Sequence, residues 1–242
     1  MDEKLQDTKM IRQALLKKIR DDASNNEKRL PPEAVLAETM GVSRTLIRDC
    51  MATLECDGYI SRRQGIGTLI NQHVLDVPVR MDFEPEFCDR VRAMGYEPET
   101  SITDISTVQC DSAMAKKFGV GENTPVLRVS KLVKASGRTA IYCIDHISFQ
   151  TIKRYDYTAA DMEEPIFAFL RKFCNTDVYL DLTVVNAVVA DEMLSGIMGV
   201  AVGSPLLNMD ELGYNIEGDP VLWSLEYYVP GVLEYTVLRK RQ

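Results

Sequence analysis

The sequence predicts an α+β chain of two units, and two patterns along its 242 residues carry that prediction. From Leu30 to Ile70 it reads as helix, tight turn, helix and a basic, glycine-punctuated hairpin. Beyond residue 82 a short helix followed by two apolar strands occurs twice, an internal duplication of the kind that builds one antiparallel sheet with helices on a face. With 45% hydrophobic residues the chain can bury two cores.

Ile11, Leu15 and Ile19, with Met10 and Ala14, predict a first helix that Ser24-Asn25-Asn26 breaks. Leu36, Ala37 and Met40 recur at helical spacing in Glu33 to Met40, and Gly41 ends that helix in a left-handed turn. Ser43 caps the next helix. There Ile47, Met51 and Leu54 form the inward stripe, leaving Arg44, Thr45 and Arg48 on another face near the helix N-terminus. Cys56-Asp57-Gly58 makes a turn. Tyr59 to Arg63 then alternates apolar and polar before Gln64-Gly65-Ile66-Gly67 reverses the chain into Thr68-Leu69-Ile70. Two arginines on a helix are by themselves a solvated face. Followed by two glycines that let backbone approach a phosphate ridge, with Arg62 and Arg63 beside them, they read as a winged helix-turn-helix whose partner is double-stranded DNA.

At these residues the chain resembles the GntR family of bacterial transcription regulators. Leu30, Pro31, Glu33, Leu36, Ala37, Gly41, Val42, Ser43, Arg44, Arg48, Leu54, Gly58, Ile60, Arg63, Gly65, Gly67 and Thr68 fall on that family's signature. The resemblance implies that Arg44 and Arg48 contact bases, that Ser43 and Thr45 contact the backbone, and that Gln64 and Gly65 reach the minor groove. Arg29, Arg63 and Gly67 complete the expected DNA-binding set. Two positions depart from the signature: Ala34 stands where the family has arginine, and Leu46 where it has a second threonine.

Net charge is −8, but it is unevenly spread: residues 1–70 hold 12 Lys/Arg against 11 Asp/Glu, and residues 71–242 hold 16 against 25. DNA binding must therefore rest on local clustering of Lys28, Arg29, Arg44, Arg48, Arg62 and Arg63, and should be salt-sensitive. Six widely spaced cysteines with no CxxC pair, and His73 and His146 outside any ligand-like cluster, argue against structural zinc, a metal site or a disulfide scaffold. No segment reads as a signal peptide or reaches transmembrane length, so a cytoplasmic protein with no membrane partner is expected. Residues 1–70 are assigned to the DNA-binding domain, 71–82 to a linker stiffened by Pro78, and 83–242 to the second domain.

Within that domain Asp111 to Ser148 and Asp191 to Val229 share their order of elements. Gly119 and Pro125 repeat as Gly199 and Pro205 at an offset of 80, Gly137 and Asp145 as Gly218 and Glu226 at 81. Asp145 and Glu226 thus hold equivalent places in otherwise apolar strands. A carboxylate there is either satisfied by backbone amides, a base or water, or it lines a ligand cavity.

From about Met81 onward the chain is similar to the UTRA effector-sensing domain of the HutC subfamily, whose fold is related to chorismate lyase. The similarity rests on Met94-Gly95-Tyr96-Glu97-Pro98, Gly121 to Pro125, Val126-Leu127-Arg128, the Gly137 turn and Gly218-Asp219-Pro220 through Tyr227-Tyr228. It implies that Asp145 and Glu226 bind hydroxyl or amino groups, and that Thr100, Ser101 and bases on the strand from Arg128 to Val133 bind phosphate. Lys131 and Val133 stand where arginines are expected, so a hydroxylated effector, with or without an amine, suits the set better than a strong anion. The expected effector residues are Thr100, Ser101, Arg128, Lys131, Asp145, Glu226 and Tyr228.

The resulting expectation is a transcription regulator, a repressor rather than an activator, that binds a palindromic operator as a homodimer under control of a sugar, amino sugar or related metabolite. It needs no cofactor and has no catalytic residues. The alternatives are a winged helix that contacts protein, and an enzyme using a lyase-like cavity; against the latter, His146 is isolated.

Overall fold

The computed structural model describes residues 3–83 and 85–240. They form two compact units, one of residues 3–82 with 236–240, the other of residues up to 235.

In the first unit, helix α1 (Glu3–Ser24) precedes α2 (Glu33–Met40) and α3 (Arg44–Cys56), followed by strands β1 (Ile60–Arg63) and β2 (Gly67–Ile70) and the single turn α4 (Gln72–Leu75). Leu15, Ile19, Leu36, Ile47, Met51 and Leu54 are completely buried and form the centre of its core. The α1 stripe is narrower than the sequence suggested: Ile11, Leu15 and Ile19 face inward at intervals of four, whereas Met10 and Ala14, one position off that row, face solvent. Gly41 takes φ +67, and Val42 N–H reaches back to Ala37 O at 3.0 Å, closing α2 in a Schellman-type turn. Ser43 Oγ accepts from Leu46 N–H at 3.2 Å, a cap worth about 1 kcal/mol.

Residues 71–82 are not a free linker. Val74 and Val79 are buried, and Asn71 Nδ2 donates to Gly58 O at 2.7 Å. Arg80 is buried with its guanidinium over the Tyr59 ring, donating to Asp57 O at 2.6 Å and paired with Asp82. Nor does the C-terminal segment stay with the second unit. Met81 N–H donates to Thr236 O at 2.8 Å, and Lys240 Nζ donates to Glu55 O and Cys56 O, carbonyls of the last turn of α3. The chain therefore leaves and re-enters this unit, at residues 82/83 and 235/236.

The second unit comprises α5 (Phe87–Ala93), β3 (Pro98–Gln109), α6 (Ser112–Phe118), β4 (Pro125–Ala135), β5 (Arg138–Ser148), α7 (Ile166–Phe169), β6 (Leu180–Val189), α8 (Glu192–Met198), β7 (Pro205–Tyr214) and β8 (Pro220–Tyr228). A 3-10 turn at Ala159–Met162 precedes α7, and a π turn at Leu170–Cys174 continues it. The six strands form one antiparallel sheet in the order β3-β4-β5-β8-β7-β6. This is the duplication made visible: β3-α6-β4-β5 and β6-α8-β7-β8 meet at the β5·β8 pair, about a local two-fold axis. The repeat begins one strand earlier than the sequence pattern showed. Both repeat helices are capped alike, by Asp111 and Asp191 at their starts and by left-handed Gly119 and Gly199 at their ends. The one-residue difference between the repeats sits in the hairpin turns: Ser136-Gly137 closes the first in two residues, both at positive φ, and Asn215–Asp219 closes the second in a longer loop.

The sheet is covered on both faces. Helices α6 and α8 pack on one, against Val126 and against Tyr142 and Ile144. The segment between β5 and β6 covers the other, where Phe169, Leu170 and Phe173 bury Leu127, Val129, Ile147 and Leu222.

Candidate nucleic-acid interface and ligand cavity

The first two turns of α3 present Arg44, Thr45 and Arg48 to solvent, and Arg29, Ser43, Arg63, Gln64, Gly65 and Gly67 are exposed as well. The wing is a true hairpin, with Arg63 opposite Gly67, and Leu30 N–H donating to Thr68 O adds a short third strand that carries Arg29. Gly65 and Gly67 adopt φ +77 and +97 with open space where a Cβ would stand, so the turn needs them for backbone conformation rather than for room. Ser43 spends one lone pair on its cap, which leaves its hydroxyl proton available as a donor.

Arg62 departs from its place in the expected basic cluster. Its Nε bonds Glu55 Oε2 at 2.7 Å, its backbone N–H bonds Glu55 Oε1 at 2.8 Å, and its guanidinium lies 3.8 Å from Glu33, so it ties the wing to α3. Burial opposes the charge on Glu55, but the Arg62 bonds outweigh it and hold the carboxyl below its usual range. Arg48, more exposed, makes only a 3.3 Å contact with Glu33, a surface pair that holds it weakly. The two departures from the signature have structural correlates: Leu46 turns inward against the core, and Ala34 leaves the exposed start of α2 without a long side chain. Exposed Ile66 at the wing tip was not anticipated.

In the second unit a cleft of about 710 Å³, its mouth included, opens between the sheet and the segments at residues 85–88 and 163–167. Of the expected effector residues it gathers Thr100, Lys131, Asp145 and Glu226. Three fall outside it. Arg128 lies on the face that carries α6 and α8, because it is an odd number of residues from Lys131 along β4. Ser101 is on the opposite face from Thr100 for the same reason. Tyr228 does not line the cleft but donates its hydroxyl to Glu226 Oε2 and accepts from Arg90 Nη1 at 3.0 Å, so it holds Glu226 from behind.

Residues the sequence reading missed complete the lining, among them Glu86, Glu163, Asp181, Glu211 and Ser224. Register explains several of them. Asp145 stands opposite Ser224, and Glu226 opposite Cys143, so the local two-fold exchanges these pairs. Lys131, opposite Cys143, corresponds to Glu211, opposite Ser224. Thr100, opposite Val133, corresponds to Asp181, opposite Gly213. Aligning β3 with β6 would have found Asp181, and aligning β4-β5 with β7-β8 position by position would have found Glu211 and Ser224.

Asp145 is 2% exposed. Burial pushes its carboxyl above the usual range, against the pull of Lys131 and of hydrogen bonds from Ser224 Oγ at 2.7 Å and Cys143 Sγ at 3.1 Å. Burial also raises Glu86, to about 7, with Arg171 and Lys131 opposing. Lys131 Nζ donates to Glu164 O at 2.6 Å. Cys143 is buried and its thiol is held well up by burial and by Asp145, which removes it as a nucleophile. His146 stacks on Trp223 with ring centroids 4.3 Å apart, and burial lowers it to about 4, so it is a neutral packing residue. Among the described residues no group of three His, Cys, Asp or Glu side chains can hold a metal ion.

Comparison with known proteins agrees with this anatomy. Residues 7–70 match the family described as bacterial regulatory proteins of the gntR family, and residues 93–231 match the UTRA domain. An uncharacterized HTH-type transcriptional regulator of Rhizobium meliloti is 24% identical over 198 residues, 81% of this chain and 79% of the relative. The HTH-type transcriptional repressor NagR of Bacillus subtilis is 18% identical, covering 76% of this chain and 74% of its own. The crystal structure of the possible transcriptional regulator YydK from Bacillus subtilis superposes with a TM-score of 0.78 at 15% identity, covering 95% of this chain and 99% of that one. With a gntR-type winged helix at one end and a UTRA domain over more than half its length, the chain belongs to the GntR family of DNA-binding transcriptional regulators that carry a UTRA effector domain.

Proposed function

We propose that this regulator is a repressor of the HutC branch that binds a palindromic operator as a homodimer, and that a small molecule in the UTRA cleft controls its occupancy of DNA. The observation that carries this reading is the presence in one chain of an exposed Arg44-Thr45-Arg48 face and a carboxylate-lined cleft. The DNA contacts are those of Arg29, Ser43, Arg44, Thr45, Arg48, Arg63, Gln64, Gly65 and Gly67; Thr100, Lys131, Asp145 and Glu226 serve the effector directly, with Tyr228 behind Glu226.

The two outer strands of the sheet support a dimer. They are equivalent by the duplication yet differ in character: β3 exposes mainly polar residues, Glu99, Ser101, Thr103 and Asp104, with Ile105 at 38%, while β6 exposes Leu180, Leu182 and Val184, each more than half exposed. A two-fold copy laid against β6 would bury that apolar row and set two reading helices for a palindrome. Repression needs no further partner, since occupying a promoter is enough. Six free cysteines suit a reducing cytoplasm, where the operator is, and no helix among the described residues is long and apolar enough to cross a membrane.

The test is selection of random duplexes on the whole protein, repeated with Arg44→Ala/Arg48→Ala. A palindrome enriched by the natural protein and lost by the variant supports the reading. Absence of enrichment by folded protein, with or without candidate effectors, refutes it.

A further inference from the structure

The cleft is electrostatically lopsided. Six carboxyl side chains line it, from Glu86, Asp145, Glu163, Asp181, Glu211 and Glu226, against one ammonium, Lys131. That ammonium already serves Glu164 O. The duplication sharpens the imbalance, because the place that Lys131 takes in one repeat belongs to Glu211 in the other.

A second, independent observation concerns Asp145. Both hydrogen bonds to its carboxyl end on the same oxygen, Oδ1, and among the described residues none reaches Oδ2, although the residue is 98% buried and lines the cleft. With no protein donor and not itself sealed from solvent, Oδ2 is left open to the cleft, where a donor on a ligand can replace water. The ligand is not a bare metal ion, for the carboxyl groups are too dispersed to hold one and the other walls are apolar: Phe87, Ile166, Phe167 and Leu222. A phosphorylated sugar is also disfavoured, since its charge would be repelled by the ionised acids of the cleft.

We propose that the cleft takes an organic ammonium compound, with its ammonium donating to Asp145 and Glu226 and its carbon body between Phe87 and Phe167. This rests on the reading of the cleft as the effector site, and adds to it the charge and chemical class of the ligand.

Calorimetric titration and thermal unfolding of the whole protein test it, with phenethylamine and cadaverine as probes and phenethyl alcohol, phenylacetate and glucose phosphate as the neutral and anionic counterparts. The amines are expected to bind saturably and raise the unfolding midpoint, and their counterparts to do neither. Asp145→Asn should weaken amine binding by about thirtyfold or more, the loss typical of a buried charge pair reduced to a neutral contact. Lys131→Met should tighten it, a gain no folding defect imitates. Tighter binding of phenylacetate or glucose phosphate than of either amine, equal binding of alcohol and amine, silence toward both amines, or weaker amine binding by Lys131→Met would overturn the proposal. Operator selection on the same preparation separates the two readings. A palindrome without an amine response sinks the ammonium class alone; amine binding that never alters operator occupancy upholds the class and sinks effector control.

Discussion

Lys131 and Glu211 occupy the same position in the two halves of one duplicated sheet, facing Cys143 and Ser224 across their neighbouring strands. The exchange of ammonium for carboxylate turns a pseudo-symmetric cleft into one with a direction. A ligand with a single cationic group is drawn toward the Glu211 half and away from Lys131, so an approximate two-fold can still select one orientation.

Glu86 makes that attraction pH-dependent. Burial raises its carboxyl to about 7, so it is neutral below that value and charged above it. The affinity for phenethylamine, which stays protonated throughout, should rise from about pH 6 to about pH 8, by up to about tenfold. The sign for the unliganded protein is opposite. The folded state keeps a proton on Glu86 that the unfolded chain releases near its ordinary value of 4.5, so this group's contribution to stability falls as pH rises from there through about 7. Titration of Glu86→Gln should show a flatter profile in both measurements; an unchanged slope would exclude Glu86 as the titrating group.

Arg48 gives up little to reach DNA, since its contact with Glu33 is exposed. Arg48→Ala should cost about 1–3 kcal/mol of operator binding if it reads a base bidentately. Binding to random duplex should change less. An equal loss on both, measured by fluorescence anisotropy, would assign Arg48 to phosphate.

Gly58 sits at φ +84, and a Cβ there would stand 2.4 Å from Leu238 Cδ2 of the returning C-terminal segment. Gly58→Ala should destabilise the DNA-binding unit by about 1–3 kcal/mol in denaturant unfolding, from backbone strain plus displacement of Leu238. Removing residues 236–242 should itself lower stability, since it strips Lys240 from the carbonyls ending α3, and should shrink the Gly58→Ala penalty. Additive losses would show that the segment and Gly58 do not interact.

Leu182 pairs with Leu212 and is 64% exposed on the outer strand. If β6 is the dimer edge, Leu182→Glu should shift sedimentation from dimer to monomer and weaken operator binding, while Thr103→Glu on β3 should leave both unchanged. A dimer insensitive to Leu182→Glu would move the interface elsewhere.

The DNA-reading unit was legible because its determinants are local. A left-handed Gly41, a capping Ser43, a row at Ile47, Met51 and Leu54 and a glycine wing each act within one or two turns of chain, so spacing alone displays them. The duplication was legible for a similar reason, since Gly119/Gly199 and Asp145/Glu226 recur at nearly constant offset. By itself, then, the sequence determined the two-part α+β architecture, the exposed arginine face of α3 and the equivalence of two buried acids. Tertiary structure decided what depends on face and register. A strand alternates sides at every residue, so whether Arg128 or Lys131 meets the cleft turns on parity against neighbouring strands, and Glu86 and Glu163 arrive from segments outside the sheet that carry no repeat pattern. It also decided that residues 71–82 and 236–240 belong with the reading unit, because burial of Val79 and Arg80 and the bonds of Lys240 join segments more than 150 residues apart, which no local pattern records.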